Sequence, residues 1–259
     1  MKNFICFIFI LFTIHNSLSQ SSVEKDMVHV KYVTYMDNGI PLSRESELLI
    51  NTHTNQAVYI TDYNTDTIIK DDELEKLRNE DVNLFGIKRH FQYTYIYTDF
   101  INNQISAVDW ISSKSFLHTE TIPSLHWQLT NETKVINNYN CNSATISFRG
   151  RNYIAWYSKD IPLTYGPWKF SGLPGLILEI QDTNKNYTIL AKEVNFKSNK
   201  KIEKIPTTDK TVTLKEFVSI YDEYYNPNNW STDEINITYK EYIREGMELI
   251  YEWEEGTKN

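Results

Sequence analysis

The sequence predicts an α+β protein, a predominantly antiparallel β-sheet with C-terminal helices packed against it. Three observations lead there. Most of the chain alternates apolar and polar residues, the pattern of half-buried strands. The connections between these runs are short and polar, which favours antiparallel neighbours. After Thr213 the apolar spacing changes to that of a helix.

Taken in order, "MVHVKYVTY" from Met27 is the first alternating run. "SELLINTH" and "NQAVYITDY" follow as a pair around a polar turn, and "FQYTYIYTDF" pairs with "QISAVDWI" across Ile101, Asn102 and Asn103. Between these pairs "KDDELEKLRNEDV", Lys70 to Val82, is charged and lacks an apolar stripe, so it reads as a short surface helix or a loop. In the centre, "HWQLT", "CNSATISFRG", "RNYIAWYS" and "GLILEIQD" form a strand series. Arg149, Gly150, Arg151 and Asn152 supply the turn chemistry of a hairpin, and "YTILAKEVNF" adds a strand after "DTNKN". "KSNKKIEK", Lys197 to Lys204, is basic and reads as a solvated strand end or loop.

Two helices are expected next. "TLKEFVSIYDEYY" spaces Leu214, Phe217, Val218, Tyr221 and Tyr225 along one face, with Thr213 as N-cap and Glu216 completing a capping box. "TYKEYIREGMELIYEW" repeats the theme with Tyr239, Tyr242, Ile243, Met247 and Ile250. The organisation is then a signal peptide over 1–19, one domain over 20–255 and a short polar tail over 256–259.

The signal peptide rests on Lys2, the apolar run Phe4 to Ile14, and a polar exit with cleavage after Ser19. The run is too short to span a bilayer, which takes about 20 apolar residues, so the mature chain is expected to carry no transmembrane segment. Cleavage removes Lys2 and changes the net charge from −8 to −9, a balance that argues against nucleic acid. It also leaves Cys141 as the sole cysteine. A lone cysteine can be a small core residue, a link to another chain or a nucleophile, and burial is the commonest fate of an unpaired thiol.

"GPWKFSGLPGLILEIQD", Gly166 to Asp182, crowds glycine and proline into a chain with only 8 Gly and 7 Pro. Pro174 followed by Gly175 suits a type II turn over Leu173–Leu176, with Gly172 allowing close approach. Beyond it Leu176, Leu178 and Ile180 should face one way and Ile177, Glu179 and Gln181 the other. Ile161 with Pro162, and Gly166 with Pro167, make further corners. The segment lacks the glycine and the Lys-Ser/Thr of a phosphate cradle, so it reads as a rigid double bend that aims a strand.

The residues "GLPGLI", Gly172 to Ile177, together with the flanking cysteine, "FRGR", "AWY", "DIP" and "GPWKF", resemble the GLPGLI family of exported bacterial proteins over about residues 124–196. The resemblance implies an envelope location in Gram-negative bacteria, periplasmic or outer-envelope associated, and brings no assigned reaction, cofactor or catalytic residue. More loosely, the hairpin sheet with helices laid on it looks like the curved, open half-barrels that carry or sense lipid-linked proteins in bacteria.

No catalytic or metal-binding constellation is legible, and no cofactor is expected. There is no G-x-S-x-G elbow. Cys141 with His126 or His118 is conceivable as a nucleophile and base pair, but Cys141 lies in or beside an apolar strand with no activating context. His29, His53, His90, His118 and His126 are scattered, and the pairs Asp71–Asp72 and Glu254–Glu255 lie in polar segments. Sequons at Asn131, Asn186, Asn229 and Asn236 matter only in a glycosylating host. Aromatic density is the remaining lead. Trp156, Tyr157 and Trp168, with Arg149 and Arg151, are the candidate ligand-binding residues, set against the alternative that they fill a core and pair with acids such as Asp160. The expected function is non-enzymatic binding of an apolar ligand or an envelope partner, a lipid or glycan included, with an extracytoplasmic hydrolase as the alternative.

Overall fold

The computed structural model describes residues 26–37, 41–63, 67–68, 93–229 and 242–254. The proposed signal peptide, the Lys70–Val82 stretch, His90, Asn236, Tyr239, Glu255 and the tail lie outside the described residues. Among the described residues thirteen strands form one sheet. In chain order they are β1 (Met27–Asp37), β2 (Pro41–Asn51), β3 (Gln56–Asp62), β4 (Thr67–Ile68), β5 (Tyr93–Asp99), β6 (Gln104–Ile111), β7 (Lys114–Thr121), β8 (Gln128–Ile136), β9 (Tyr139–Phe148), β10 (Arg151–Ser158), β11 (Leu176–Asp182), β12 (Tyr187–Asn195) and β13 (Lys210–Thr213).

Their lateral order is β13-β7-β6-β5-β3-β2-β1-β12-β11-β10-β9-β8, with β4 on β2. The sheet is two meanders joined where β1 pairs with β12. All pairs are antiparallel except β13 on β7. Strand order dictates curvature. β7 and β8 lie near opposite ends of the sheet, ten spacings apart, yet only residues 122–127 connect them. A flat sheet would separate them by about 48 Å. The link reaches about 25 Å at full extension. The sheet therefore curls until its ends approach without pairing.

One α-helix, α1 (Leu214–Tyr225), follows β13. Thr213 caps it, and the Glu216 side chain accepts from the Thr213 N–H, the expected capping box. Its apolar face places Leu214, Phe217 and Val218 against Ile111 and Phe116 at the β7 end of the sheet. The second expected helix does not form over its described part: residues 242–253 run without helical hydrogen bonding. Gly246 sits at φ +112 within them. Their backbone pairs with the β9–β10 hairpin instead, as Leu249 and Ile250 N–H both donate to the Arg149 carbonyl and Arg151 Nε donates to the Gly246 carbonyl. Of the predicted apolar face, Ile243 is 73 % exposed. Tertiary hydrogen bonds and a glycine outweigh the local pattern.

Two irregular segments cover the sheet. Residues 159–175 lie on the face that carries Tyr59, where Ile161 and Tyr165 join the core around Tyr32, Leu48 and Ile105. Residues 196–209 lie on the other face, where Ile202 and Ile205 pack near Val58 and Tyr95. Val58 and Tyr59 are successive residues of β3, so the two coverings are on opposite sides.

The corner at Leu173–Leu176 differs from the expected type II turn. Gly175 N–H donates to the Leu173 carbonyl across Pro174, and Leu176 N–H donates to Ile161 instead of closing the four-residue turn. This is a γ-turn. Leu163 N–H and the Ile161 carbonyl repeat it across Pro162. Gly175 is required by crowding: a Cβ there would lie 2.1 Å from the Ser158 carbonyl oxygen. Gly172 has open space around it and is required instead by its φ of +86.

Strict alternation along β11 fails as well. Tyr157 pairs with Ile177 and Trp156 with Glu179, which leaves Leu178 as a bulge. Ile180 consequently joins Ile177 in one cluster, while Leu176 and Leu178 join the other.

Candidate functional site

Where the curled sheet fails to close, an open groove of about 620 Å³ remains. Its walls are the end of β7 and the link after it (Thr119 to Ser124, with His126), the β9 end and hairpin turn (Ser147 to Arg149), the start of α1 (Leu214, Lys215), and Glu252 with Trp253. Thr121, Ser124, His126, Ser147, Lys215 and Glu252 are exposed along it.

The floor is an ion cluster. Arg149 and Gly150 occupy the two central positions of the hairpin with φ of +45 and +82, the backbone of a type I′ turn. That turn aims the Arg149 guanidinium across the gap to Glu120 near the β7 end, at 2.5 Å. Glu248 accepts from the same guanidinium, and Glu252 accepts from Arg149 Nε at 3.0 Å. Lys169 stands 2.6 Å from Glu120 and 3.0 Å from Glu248. The side chains of Arg149, Lys169 and Glu120 are 5 %, 3 % and 8 % exposed, so the charges are compensated inside the protein.

Burial alone would raise the Glu120 carboxyl, but Lys169 and Arg149 outweigh it and hold the group below its ordinary value. Burial likewise opposes charge on Lys169 and Arg149, and Glu248 and Glu120 outweigh it, raising both. Glu120, Lys169 and Arg149 are thus stabilised as ions across the neutral range, and none of the three is moved toward the mid-range acidity of a general acid or base.

The named aromatics and arginines are distributed around this cluster. Trp156 and Tyr157 are successive residues of β10 and point to opposite faces. Trp156 is half-buried with Lys134 Nζ 4.3 Å from its ring centre, while Tyr157 is buried among Ala155, Phe170 and Ile177. Trp168 has φ +57, a position usually left to glycine, and its ring packs on Phe148 and Phe170. Arg149 and Trp168 meet through Phe148. Arg151 faces Asp182 at 3.4 Å and sits over Tyr187, away from Asp160. Leu173, Leu176 and Ile177 are buried, and Pro174 and Gly172 are exposed.

Cys141 is 1 % exposed, and burial pushes its thiol up to about 11. Its Sγ donates weakly to the Tyr139 carbonyl. His118 lies elsewhere, 2.8 Å from Asp109, stacked on Phe217, with Nδ1 buried and unpartnered. Among the described residues no three His, Cys, Asp or Glu side chains cluster in a way that could hold a metal ion. No described helix is long and apolar enough to cross a membrane.

Sequence reasoning passed over Glu120, Lys169, Glu248, Glu252 and Trp253. Lys169 carried a signal, a cation between Trp168 and Phe170 in an apolar segment, where burial demands a counter-charge. The acids carried none, because Glu248 and Glu252 read as the polar face of a helix.

A sequence model of the family described as "Protein of unknown function (Porph_ging)" matches residues 149–179, which run from the hairpin arginine to Glu179. No curated protein matches the chain. Among solved structures, two crystal forms of PNGF-II align at 15 % identity with TM-score 0.45, one covering 76 % of this chain and 33 % of that one, the other 75 % and 32 %. The chain spans about a third of the length of PNGF-II. A LolA superfamily protein from Nitrosomonas europaea, NE2245, aligns at 8 % identity with TM-score 0.26 over 70 % of this chain and 88 % of that one.

Proposed function

We propose that the protein is an exported, non-enzymatic binding protein of the bacterial envelope. Its single domain over residues 20–255 holds its ligand or partner in the groove at the sheet gap. The observation that carries this reading is the pairing of an open groove of about 620 Å³ with a floor whose buried charges are already matched. A hydrolase site needs a nucleophile or a carboxyl with shifted acidity facing its substrate. The groove has hydroxyls, a tryptophan, compensated ions and the exposed His126, which among the described residues is hydrogen-bonded to none of those hydroxyls.

The export reading adds the signal peptide and the resemblance over residues 124–196. The signature Gly172, Leu173, Pro174, Gly175, Leu176 and Ile177 then serves architecture, since it carries residues 159–175 across the core and delivers Lys169 to the cluster.

A second reading is an apolar ligand taken between the sheet and residues 159–175. The crevice there is lined by Leu48, Tyr59, Ile105 and Trp168 and holds about 10 Å³, so such a ligand must lift the segment. The left-handed backbone at Trp168 favours it, because lifting would relieve that strain.

Capture from envelope extract by the mature protein and by Ser124→Trp, which fills the groove from an exposed position, tests both. Recovery of a defined polar partner by the parent and its loss in the variant is the expected result. Equal recovery by both proteins, or a lipid as the captured species, overturns the groove reading.

A further inference from the structure

The geometry points to a neutral carbohydrate as the occupant of the groove. This deepens the binding reading and rests on it. Electrostatics excludes a ligand chosen by charge. Among the described residues Arg149 is the one buried cation on the groove, and its donors are taken by Glu120, Glu248 and Glu252. At the rim Lys215 and Glu252 are exposed with opposite signs, so no net field selects an anion or a cation.

An extended peptide needs an unpaired strand edge to add to. The open edges of the described sheet are β13 and β8, of which Thr213 alone lines the groove, and β7 and β9 lack an outer partner beside it only at Glu120–Thr121 and Ile146–Phe148, runs too short for a peptide to add as a strand. A purely apolar ligand would strip water from the exposed hydroxyls of Thr121 and Ser124 without replacing their hydrogen bonds, whereas the Ser147 hydroxyl keeps its bond to Asn152.

What these walls do suit is a polyhydroxyl ring. Hydroxyls and the Glu252 carboxylate can exchange hydrogen bonds with sugar hydroxyls, and Trp253 gives an apolar plate for the C–H face of a pyranose. The plate is held: Tyr251, 5 % exposed, stacks beneath Trp253 with ring centres 4.7 Å apart and planes within 6°. Pre-ordering of that kind lowers the entropy lost when a ligand binds.

The test is calorimetric titration of the mature protein with neutral oligosaccharides, namely maltotriose, cellotriose, mannotriose and chitotriose, beside a sulfated oligosaccharide. At least one neutral sugar is expected to bind saturably, with affinity unchanged between about 50 and 500 mM salt. Trp253→Ala should weaken it at least about tenfold, and Ser124→Trp, placed on the surface, should abolish it while leaving Tm intact. Binding of the sulfated sugar alone, or of no sugar, overturns the carbohydrate assignment. If Ser124→Trp still loses the partner captured from envelope extract, the binding reading survives that outcome. If it does not, both fall.

Discussion

The two irregular coverings of the sheet are built on different principles. Residues 159–175 bury Ile161, Tyr165, Phe170 and Leu173 at 1–6 % exposure, turn twice across proline, and commit the ammonium of Lys169 to two carboxylates. Residues 196–209, of similar length, are held by half-buried Ile202 and Ile205, by the Tyr95 hydroxyl on the Glu203 carbonyl at 2.7 Å, by Asp209 accepting from the Ser115 N–H and hydroxyl, and by the ion pair of Lys200 with Glu47. The basic side chains around them are exposed. A covering can thus be a structural member or a loosely laid flap on the same sheet. The difference lies in how much it buries and whether its matched charge is inside, as at Lys169, or at the surface, as at Lys200.

The largest test of that contrast is Gly175→Val. A side chain there meets the Ser158 carbonyl carbon and oxygen, so the 159–175 crossing cannot seat. Loss of more than about 4 kcal/mol, or failure to fold, is expected. Gly172→Ala, with open space but a left-handed φ, should cost about 1–2 kcal/mol. Denaturant midpoints of the two variants settle the order. Equal losses would mean that turn conformation, not crowding, sets the corner.

Next comes Lys169→Met, which leaves Glu120 and Glu248 short of a buried counter-charge and should cost about 3–5 kcal/mol. The pH profile sharpens this. Glu120 is held below its ordinary value in the folded state, so its stabilisation is complete above about pH 4.5 and is lost as pH falls through the lower folded value. Lys169 is raised, so its share is present below about pH 10.5 and disappears only in stronger base. The parent should hold a plateau between these limits and drop in acid, and Lys169→Met should lose part of the acid limb. A parallel profile in the variant would show that Glu120 is held by Arg149 alone.

The smallest effect belongs to the other covering. Ile202→Ala removes a half-buried side chain and should cost about 1 kcal/mol or less. It should speed proteolysis within residues 196–209 while leaving the Tm of the core nearly unchanged. A loss as large as that of Lys169→Met would erase the distinction between the coverings.

The α1 capping box and the Arg149–Gly150 turn were legible because their partners stand within a few residues of each other. The second helix was misread for the opposite reason. Its carbonyls and acids serve the hairpin, with Glu248 99 positions from Arg149, and the other carboxylate on that guanidinium, Glu120 of β7, is 29 positions from it. The separation of Trp156 from Tyr157 was implicit in strand alternation, whereas the Leu178 bulge that re-faces β11 was not.

By itself the sequence determined what neighbouring residues can decide: strand periodicity, the short reversals, one capped helix, and a glycine-rich corner with little conformational choice. The tertiary structure alone decided the curl, because a six-residue link must join the two ends of the sheet. It also decided the groove that the curl leaves open and the matched charges on its floor. Those depend on groups far apart along the chain, and their energies exist only after the chain has brought them out of water together.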